Sequence, residues 1–507
     1  MSTSEISTST STSTSASAKA PGLADSENGI IDPNGLSVFR LTMMVITASV
    51  CGGIFSLAGD LAAGGANTAA VLVSWLICFV GVLSLALVFY GLSRVRPNLT
   101  GGIYAYAAAA FGKFVGFNSA WGYWISSCLT NAGYAIMLFS ALGYFFPVFG
   151  AGNNLPSLIC ASIFLWFIAF LVSRGVKEAT GINVVVTIAK LVPLTLFIVS
   201  IVLLGKFDPA IFMDNFWGEP GGPDFFTQIT STMVALVWVF VGIEGAITIS
   251  GRAKYVKDVG RATIYGFASV FVLYLIISLL SMGIMPRAEM AELATPSMAG
   301  ILEVAIGPVG AIIVNLGVVL SLVGAMLGYV IIASETPFQA ARWGAFPRIF
   351  ARVNKHGAPI VTIVTSVAII QLFLVLSAAS ESTYQFFYAC AVSMILIAYV
   401  SSALYYAIIS WKNERMDAPG APKLWIARLV GTVCVLYTIF LVWSCGLQGV
   451  MIISILLAPG ILIFAISQYE HGERIFPKWR DRIIVVIILG FALFSLYLHF
   501  SGIWPIV

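Results

Sequence analysis

From residue 38 onward the chain alternates long apolar runs with short polar segments, and the runs are long enough to cross a bilayer as helices. They fall at roughly 38–62, 69–93, 116–146, 157–174, 180–204, 227–250, 262–286, 308–335, 360–378, 383–410, 425–445, 449–468 and 483–505. A hydrocarbon core about 30 Å thick takes roughly 20 helical residues, and lipid admits no unpaired backbone. The pattern therefore predicts thirteen spans and an all-α polytopic membrane protein. Residues 1–35 begin with a Ser/Thr run too polar to bury a core, without the apolar stretch and cleavage site of a signal peptide. They are expected to form a disordered cytoplasmic tail.

Composition agrees with a membrane setting: 59% of residues are hydrophobic, 9% are charged, and the mean hydropathy is +0.98. A soluble domain does not have this balance. The formal net charge of +4 does not point to nucleic acid, because the basic residues lie in short loops between apolar runs. With the N-terminus in the cytoplasm, 23 of the 26 Lys and Arg residues fall on the cytoplasmic side, and only Lys206 and Arg287 fall outside. The positive-inside rule then sets both orientation and span parity, and an odd number of spans places the C-terminus outside.

Soluble-type chemistry is missing from the sequence. The seven cysteines lie in apolar runs without metal-ligand spacing, and the three histidines, His356, His471 and His499, are scattered. No metal site, cofactor site or catalytic constellation is expected, and an enzyme is the least favoured class.

Two spans are interrupted near the middle. Span 1 carries Cys51-Gly52-Gly53-Ile54-Phe55, and span 6 carries Val241-Gly242-Ile243-Glu244-Gly245. The two are five helices apart, so a repeat of spans 1–5 on spans 6–10 is inverted in the membrane, the pattern of a secondary transporter. Breaks of this kind free backbone N–H and C=O groups at mid-depth, where they can hold an amino acid's carboxylate and ammonium. Glu244 is the only charged side chain between Asp224 and Arg252, and an intramembrane acid beside two glycines reads as a transport site. Lys190, alone between Glu178 and Lys206, is a second buried charge that must find carbonyls or an acid. Asp60, at the outer end of span 1, reads as an exposed helix-end acid.

Several separated stretches carry a family likeness: Gly52-Gly53-Ile54-Phe55, the segment from Gly101-Gly102-Ile103-Tyr104 to Phe111-Gly112, Trp238 to Glu244, and Phe346-Pro347-Arg348-Ile349-Phe350-Ala351-Arg352 with Val353-Asn354-Lys355. In these the chain resembles the amino acid–polyamine–organocation superfamily and, within it, the basic amino acid/polyamine antiporters. The likeness covers roughly residues 36–475. More narrowly, Glu244-Gly245-Ala246, Ser250-Gly251-Arg252-Ala253-Lys254 and Asp258-Val259-Gly260-Arg261-Ala262-Thr263 are similar to the arginine/ornithine and lysine exchanger branch.

The resemblance implies a broken-helix 5+5 inverted-repeat core over residues 36–410 (spans 1–10) and accessory spans 11–13 over residues 411–507. It implies that amides at Gly52, Gly53 and Ile54 hold the substrate carboxylate, and that carbonyls at Val241 and near Ser49 take its ammonium. Ser126, Ser127 and Asn131 match the region that meets the distal cationic group, with Ser393 nearby in span 10. Trp238 matches an aromatic lid on the outer side, and Glu244 with Tyr123 and Tyr399 a gate on the cytoplasmic side. Tyr329 stands where arginine/agmatine exchangers have a tryptophan; its weaker cation–π face suits an ammonium as well as a guanidinium. Lys190 matches a lysine placed where sodium-coupled relatives bind sodium, which implies a sodium-independent carrier with Glu244 and Lys190 in coupling.

The expectation is a bacterial inner-membrane antiporter that swaps arginine or lysine for ornithine or a related product, with cationic amino acids and the lipid bilayer as partners and a homodimer as the candidate assembly. A proton-coupled amino acid symporter and a transporter-like sensor without flux stand as alternatives.

Overall fold

The computed structural model describes residues 36–96, 99, 103–175, 180–242, 254–380, 383–417 and 420–502. Glu244 lies outside the described residues, as do the tail 1–35 and the stretch 243–253. All longer elements are helices: α1 Val38–Ser49, α2 Gly53–Ala63, α3 Thr68–Val95, α4 Ile103–Phe111, α5 Lys113–Gly143, α6 Leu155–Ser173, α7 Thr180–Leu203, α8 Pro209–Met213 and α9 Phe225–Phe240. They continue with α10 Val256–Ser281, α11 Arg287–Ala291, α12 Ser297–Ile306, α13 Pro308–Arg342, α14 Ile360–Ser380, α15 Tyr384–Trp411, α16 Leu424–Ser444, α17 Gly446–Glu470 and α18 Trp479–Phe500.

Among the described residues, ten helices are long and apolar enough to cross a membrane, and the bent pair α1 and α2 makes an eleventh span. Helix α7 covers the expected fifth span, and α9 is the first half of the expected sixth, whose remainder is not described. The chain is a multi-pass all-α membrane protein, as its apolar pattern predicts.

Local chemistry sets the ends of the helices. Asp224 caps α9 by accepting from the amides of Phe226 and Thr227 at 3.0 and 3.1 Å, and Asn154 caps α6 through the Ser157 amide at 3.1 Å. Burial sets their places in the bundle: 89% of the most apolar window of α5 is buried, against 17% for α18. Helix α5 is thus the central post, and α18 lies at the lipid-facing edge.

Contacts between loops divide into two sets that follow the predicted parity. At one end Arg96 pairs with Glu414 at 2.9 Å, Lys113 with Glu473, and Asn354 Nδ2 donates to Ser173 O at 2.7 Å. At the other end Arg287 pairs with Glu219 at 2.6 Å, Asn67 Nδ2 donates to Asn215 O at 2.8 Å, and the Asp208 amide donates to Gly283 O at 2.7 Å. None of these contacts crosses between the sets. The α1–α2 span consequently runs from the first end to the second, and α9 runs back, so the two interrupted spans are antiparallel.

Candidate functional site

Helix α1 stops at Ser49, Val50 turns out of the helix at ψ 85°, and α2 restarts at Gly53 with a bend of 45°. The glycines are there for close approach. A Cβ on Gly52 would come 2.9 Å from Met137 Sδ and 3.2 Å from Tyr134 Cε1; one on Gly53 would come 2.9 Å from both Trp238 Cδ1 and Val239 Cγ1. The second break begins where α9 ends: Val241 is extended, and Gly242 takes φ +108°, which a side chain rarely permits. A Cβ on Gly242 would lie 2.7 Å from Ala48 O, so the end of α9 rests on the break between α1 and α2.

The break brings the amide end of α2 next to the carbonyl end of α1. First-turn amides of α2 at Gly53 and Ile54 have no intrahelical acceptor, and the last carbonyls of α1 have no intrahelical donor. A helix N-terminus attracts a carboxylate and a helix C-terminus a cation. The Ser49 carbonyl is already engaged, accepting from Tyr274 Oη at 2.9 Å and from the Cys51 amide at 2.9 Å. Val241 is buried beside the second break.

Lys190 is 2% exposed, and its Nζ donates to Thr47 O at 3.1 Å with Cys51 Sγ 3.7 Å away. The ammonium therefore meets the negative end of α1, the placement that favours a cation there.

Trp238 covers the break. Its Nε1 donates to Tyr384 Oη at 2.7 Å, and its ring stacks on Tyr388 at 5.8 Å and tilts against Tyr134 at 5.8 Å. Tyr134 also meets Tyr329 edge to face at 5.4 Å. Asn131, one turn before Tyr134, is fully buried; with its amide set to satisfy both neighbours it donates to Met326 O at 3.1 Å and accepts from the Val330 amide at 3.3 Å. Asn131 and Tyr329 thus lie side by side across α5 and α13. Ser126 Oγ donates to Ala391 O at 2.8 Å and ties α5 to α15, whereas Ser127 Oγ donates within its own helix to Tyr123 O at 2.8 Å.

Some expected members are not brought to the break. Ser393 Oγ donates to Ala389 O and faces the accessory helices, 3.2 Å from where a Cβ on Gly449 would sit. Tyr399 packs on Phe89 at 5.9 Å and, with Val82, Leu85, Val237 and Phe240, lines a small apolar void. Tyr123 is half-buried two turns before Asn131, and the acid expected to complete its gate, Glu244, is not described.

Asp60 corrects the sequence reading. It is 9% exposed rather than a solvated helix-end acid, and accepts from Ser56 Oγ at 2.8 Å and Gln385 Nε2 at 3.0 Å. Gln385 donates also to Thr295 Oγ1 at 3.0 Å, and the Gly59 amide donates to Ser297 Oγ at 3.1 Å. The segment from Thr295 into α12 folds over α2 and takes its last two turns out of water. Four aromatics at the break, Tyr134, Tyr274, Tyr384 and Tyr388, were also absent from the sequence-derived set. The i, i+3 spacing of Asn131 and Tyr134 and the i, i+4 spacing of Tyr384 and Tyr388 would have pointed to two of these faces.

Among the described residues, no group of three or more His, Cys, Asp or Glu side chains could hold a metal ion.

Comparison with known proteins agrees with this geometry. The family described as amino acid permease matches residues 36–449. The arginine/ornithine antiporter of Pseudomonas aeruginosa is 40% identical over 476 residues, covering 92% of this chain and 98% of the relative. The arginine/agmatine antiporter of Chlamydia abortus is 36% identical over 93% of this chain and 98% of its own, and a putative arginine/ornithine antiporter of Escherichia coli is 38% identical over 90% and 96%. With the end of α9 resting on the break between α1 and α2 and a match across most of its length, the chain belongs to the amino acid permease family.

Proposed function

We propose that this chain is a sodium-independent antiporter that exchanges a cationic amino acid, arginine or lysine, for ornithine or a related product by alternating access. The observation that carries the reading is the contact of the end of α9 with the break between α1 and α2, at Gly242 and Ala48, beneath Trp238. The antiporter names of relatives that cover nearly the whole chain support the substrate class.

In this reading the amides of Gly52, Gly53 and Ile54 hold the α-carboxylate, and the Val241 carbonyl takes the α-ammonium. The Ser49 carbonyl joins it when Tyr274 Oη moves aside. Asn131, with Ser126, Ser127 and Tyr329, meets the distal cation, and Trp238 shuts the outer side. Tyr123, Tyr399 and Glu244 shut the inner side, with Glu244 and Lys190 in coupling. The unit 36–410 is the transport core and 411–507 its accessory helices. The protein sits in a bacterial cytoplasmic membrane with its N-terminus inside and its C-terminus outside, an orientation favoured by the basic loops at the Arg96–Glu414 end. It works without a cofactor, catalyses no covalent reaction, and has a homodimer as its proposed assembly.

The test is uptake of labelled arginine into liposomes loaded with ornithine, with lysine or with nothing, in the absence of a sodium gradient, with Glu244→Ala as control. Uptake only into loaded vesicles is expected. Equal uptake into empty vesicles would replace antiport by a proton-coupled symporter, and no uptake under any loading would remove the basic-substrate assignment.

A further inference from the structure

A cavity of about 230 Å³ lies away from the helix breaks, beside the C-terminal end of α2 and at the same end of the bundle as the Arg287–Glu219 pair. It is lined by Asp214 and Glu219 from the segment before α9, by Ser278 of α10, and by Arg287 and Ala288 of α11. Its volume is below the 300–1,000 Å³ typical of sites for drug-sized ligands, which suits a single amino acid.

The lining has the chemistry of an amino acid site. Arg287 grips Glu219 with two bonds, at 3.0 and 2.6 Å, and donates to Ala62 O at 3.1 Å, so these bonds leave two of its five N–H donors. The guanidinium holds the Glu219 carboxyl below the usual carboxylate range, so that it is charged at neutral pH. Asp214 makes no ion pair among the described residues. Two carboxylates and one guanidinium leave the lining one negative charge in excess, which one cationic amino acid neutralises.

A second observation is independent of these charges. Ser278 is 1% exposed, lines the cavity, and its hydroxyl has no hydrogen-bond partner among the described residues. A buried hydroxyl left unpaired costs about 1–3 kcal/mol, a cost that a ligand's ammonium would remove.

We infer that this cavity is a second, peripheral binding site for a cationic amino acid, separate from the proposed site at the helix breaks. Arg287 holds the α-carboxylate with its remaining donors, Ser278 accepts from the α-ammonium, and Asp214 and Glu219 face the distal cation. In the proposed orientation the site opens to the outside, where it collects substrate next to α2. The inference rests on the cationic-substrate reading given above.

Saturation binding of labelled L-arginine to the purified full-length chain in detergent tests it, with exchange in liposomes measured on the same preparation. Two equivalents per chain are expected for the unaltered protein. One equivalent is expected for Arg287→Gln and for Ala288→Trp, which fills the space without touching the ion pair. Ser278→Ala, which adds no volume and keeps the fold, is expected to weaken only the second equivalent, several-fold. One equivalent on the unaltered protein with exchange intact overturns the peripheral site and leaves the transport reading standing; two equivalents retained by all the variants also overturns it. Neither binding nor exchange removes both readings together.

Discussion

The Trp238 indole donates to the Tyr384 hydroxyl at 2.7 Å, and this single bond joins the ends of α9 and α15 over the break at Gly53. Net, such a bond is worth about 1 kcal/mol, or roughly fivefold in an equilibrium. Tyr384→Phe is therefore expected to lower initial exchange rates in proteoliposomes about fivefold by loosening the closed state. Trp238→Leu also removes the Tyr388 stack and the cover over Gly53, and should cost more than about tenfold. An unchanged rate in Tyr384→Phe would show that this bond is no part of the closure.

Gly53→Ala and Gly328→Ala form a controlled pair. A methyl on Gly53 lands 2.9 Å from Trp238 and Val239, while one on Gly328 meets nothing within 4 Å among the described residues. Gly53→Ala should insert in the membrane and abolish exchange, and Gly328→Ala should transport normally. Comparable activity in both would mean that the approach of Trp238 to the break is not required.

Lys190→Met keeps an unbranched side chain, one atom shorter, and removes its charge. The Thr47 carbonyl then loses its charged donor at the end of α1, a cost of about 1–3 kcal/mol. The expected result is a lower melting temperature and at least tenfold slower exchange. The unaltered protein should show equal rates in sodium and choline buffers, and sodium stimulation of it would contradict the cation role given to Lys190.

Asp60 ties α2 to α15 through Gln385 and bonds Ser56 within α2, and if this contact closes one side of the proposed site, Asp60→Ala should open the path to Cys51, which is 5% exposed at the break. In a chain whose six other cysteines are alanine, labelling of Cys51 by a membrane-impermeant thiol reagent should speed up several-fold in Asp60→Ala. Asp60→Asn, which retains an acceptor for Gln385, should show a smaller effect. Equal labelling rates in all three would remove Asp60 from the closure.

Several features of the site could be read from the chain. Gly52 and Gly53 announced the break between α1 and α2, and Gly242 the end of α9, because glycine is the residue that lets backbones approach at mid-membrane depth. Lys190 announced a buried cation, because an ammonium in a long apolar run must find a carbonyl. Asp60 was misread because its distance from the middle of span 1 gives the depth of α2 but not the fold of the Thr295 segment over it. Ser393 was placed near the substrate because position along α15 says nothing of which way a residue faces in a helix apolar all round.

The sequence by itself determined that the chain is a multi-pass bundle of apolar helices, the order of those helices along it, and the break at Gly52-Gly53. Lipid offers no partner to a free N–H or C=O, so an apolar run of sufficient length must become a helix whatever surrounds it. Only the tertiary structure decided that Gly242 rests on Ala48, that Trp238 covers Gly53, and that Tyr134, Tyr329 and Asn131 share one corner. These contacts join residues far apart in the chain. A helix with apolar residues on every face carries little mark of which face meets protein and which meets lipid, because packing between small and aromatic side chains makes that choice.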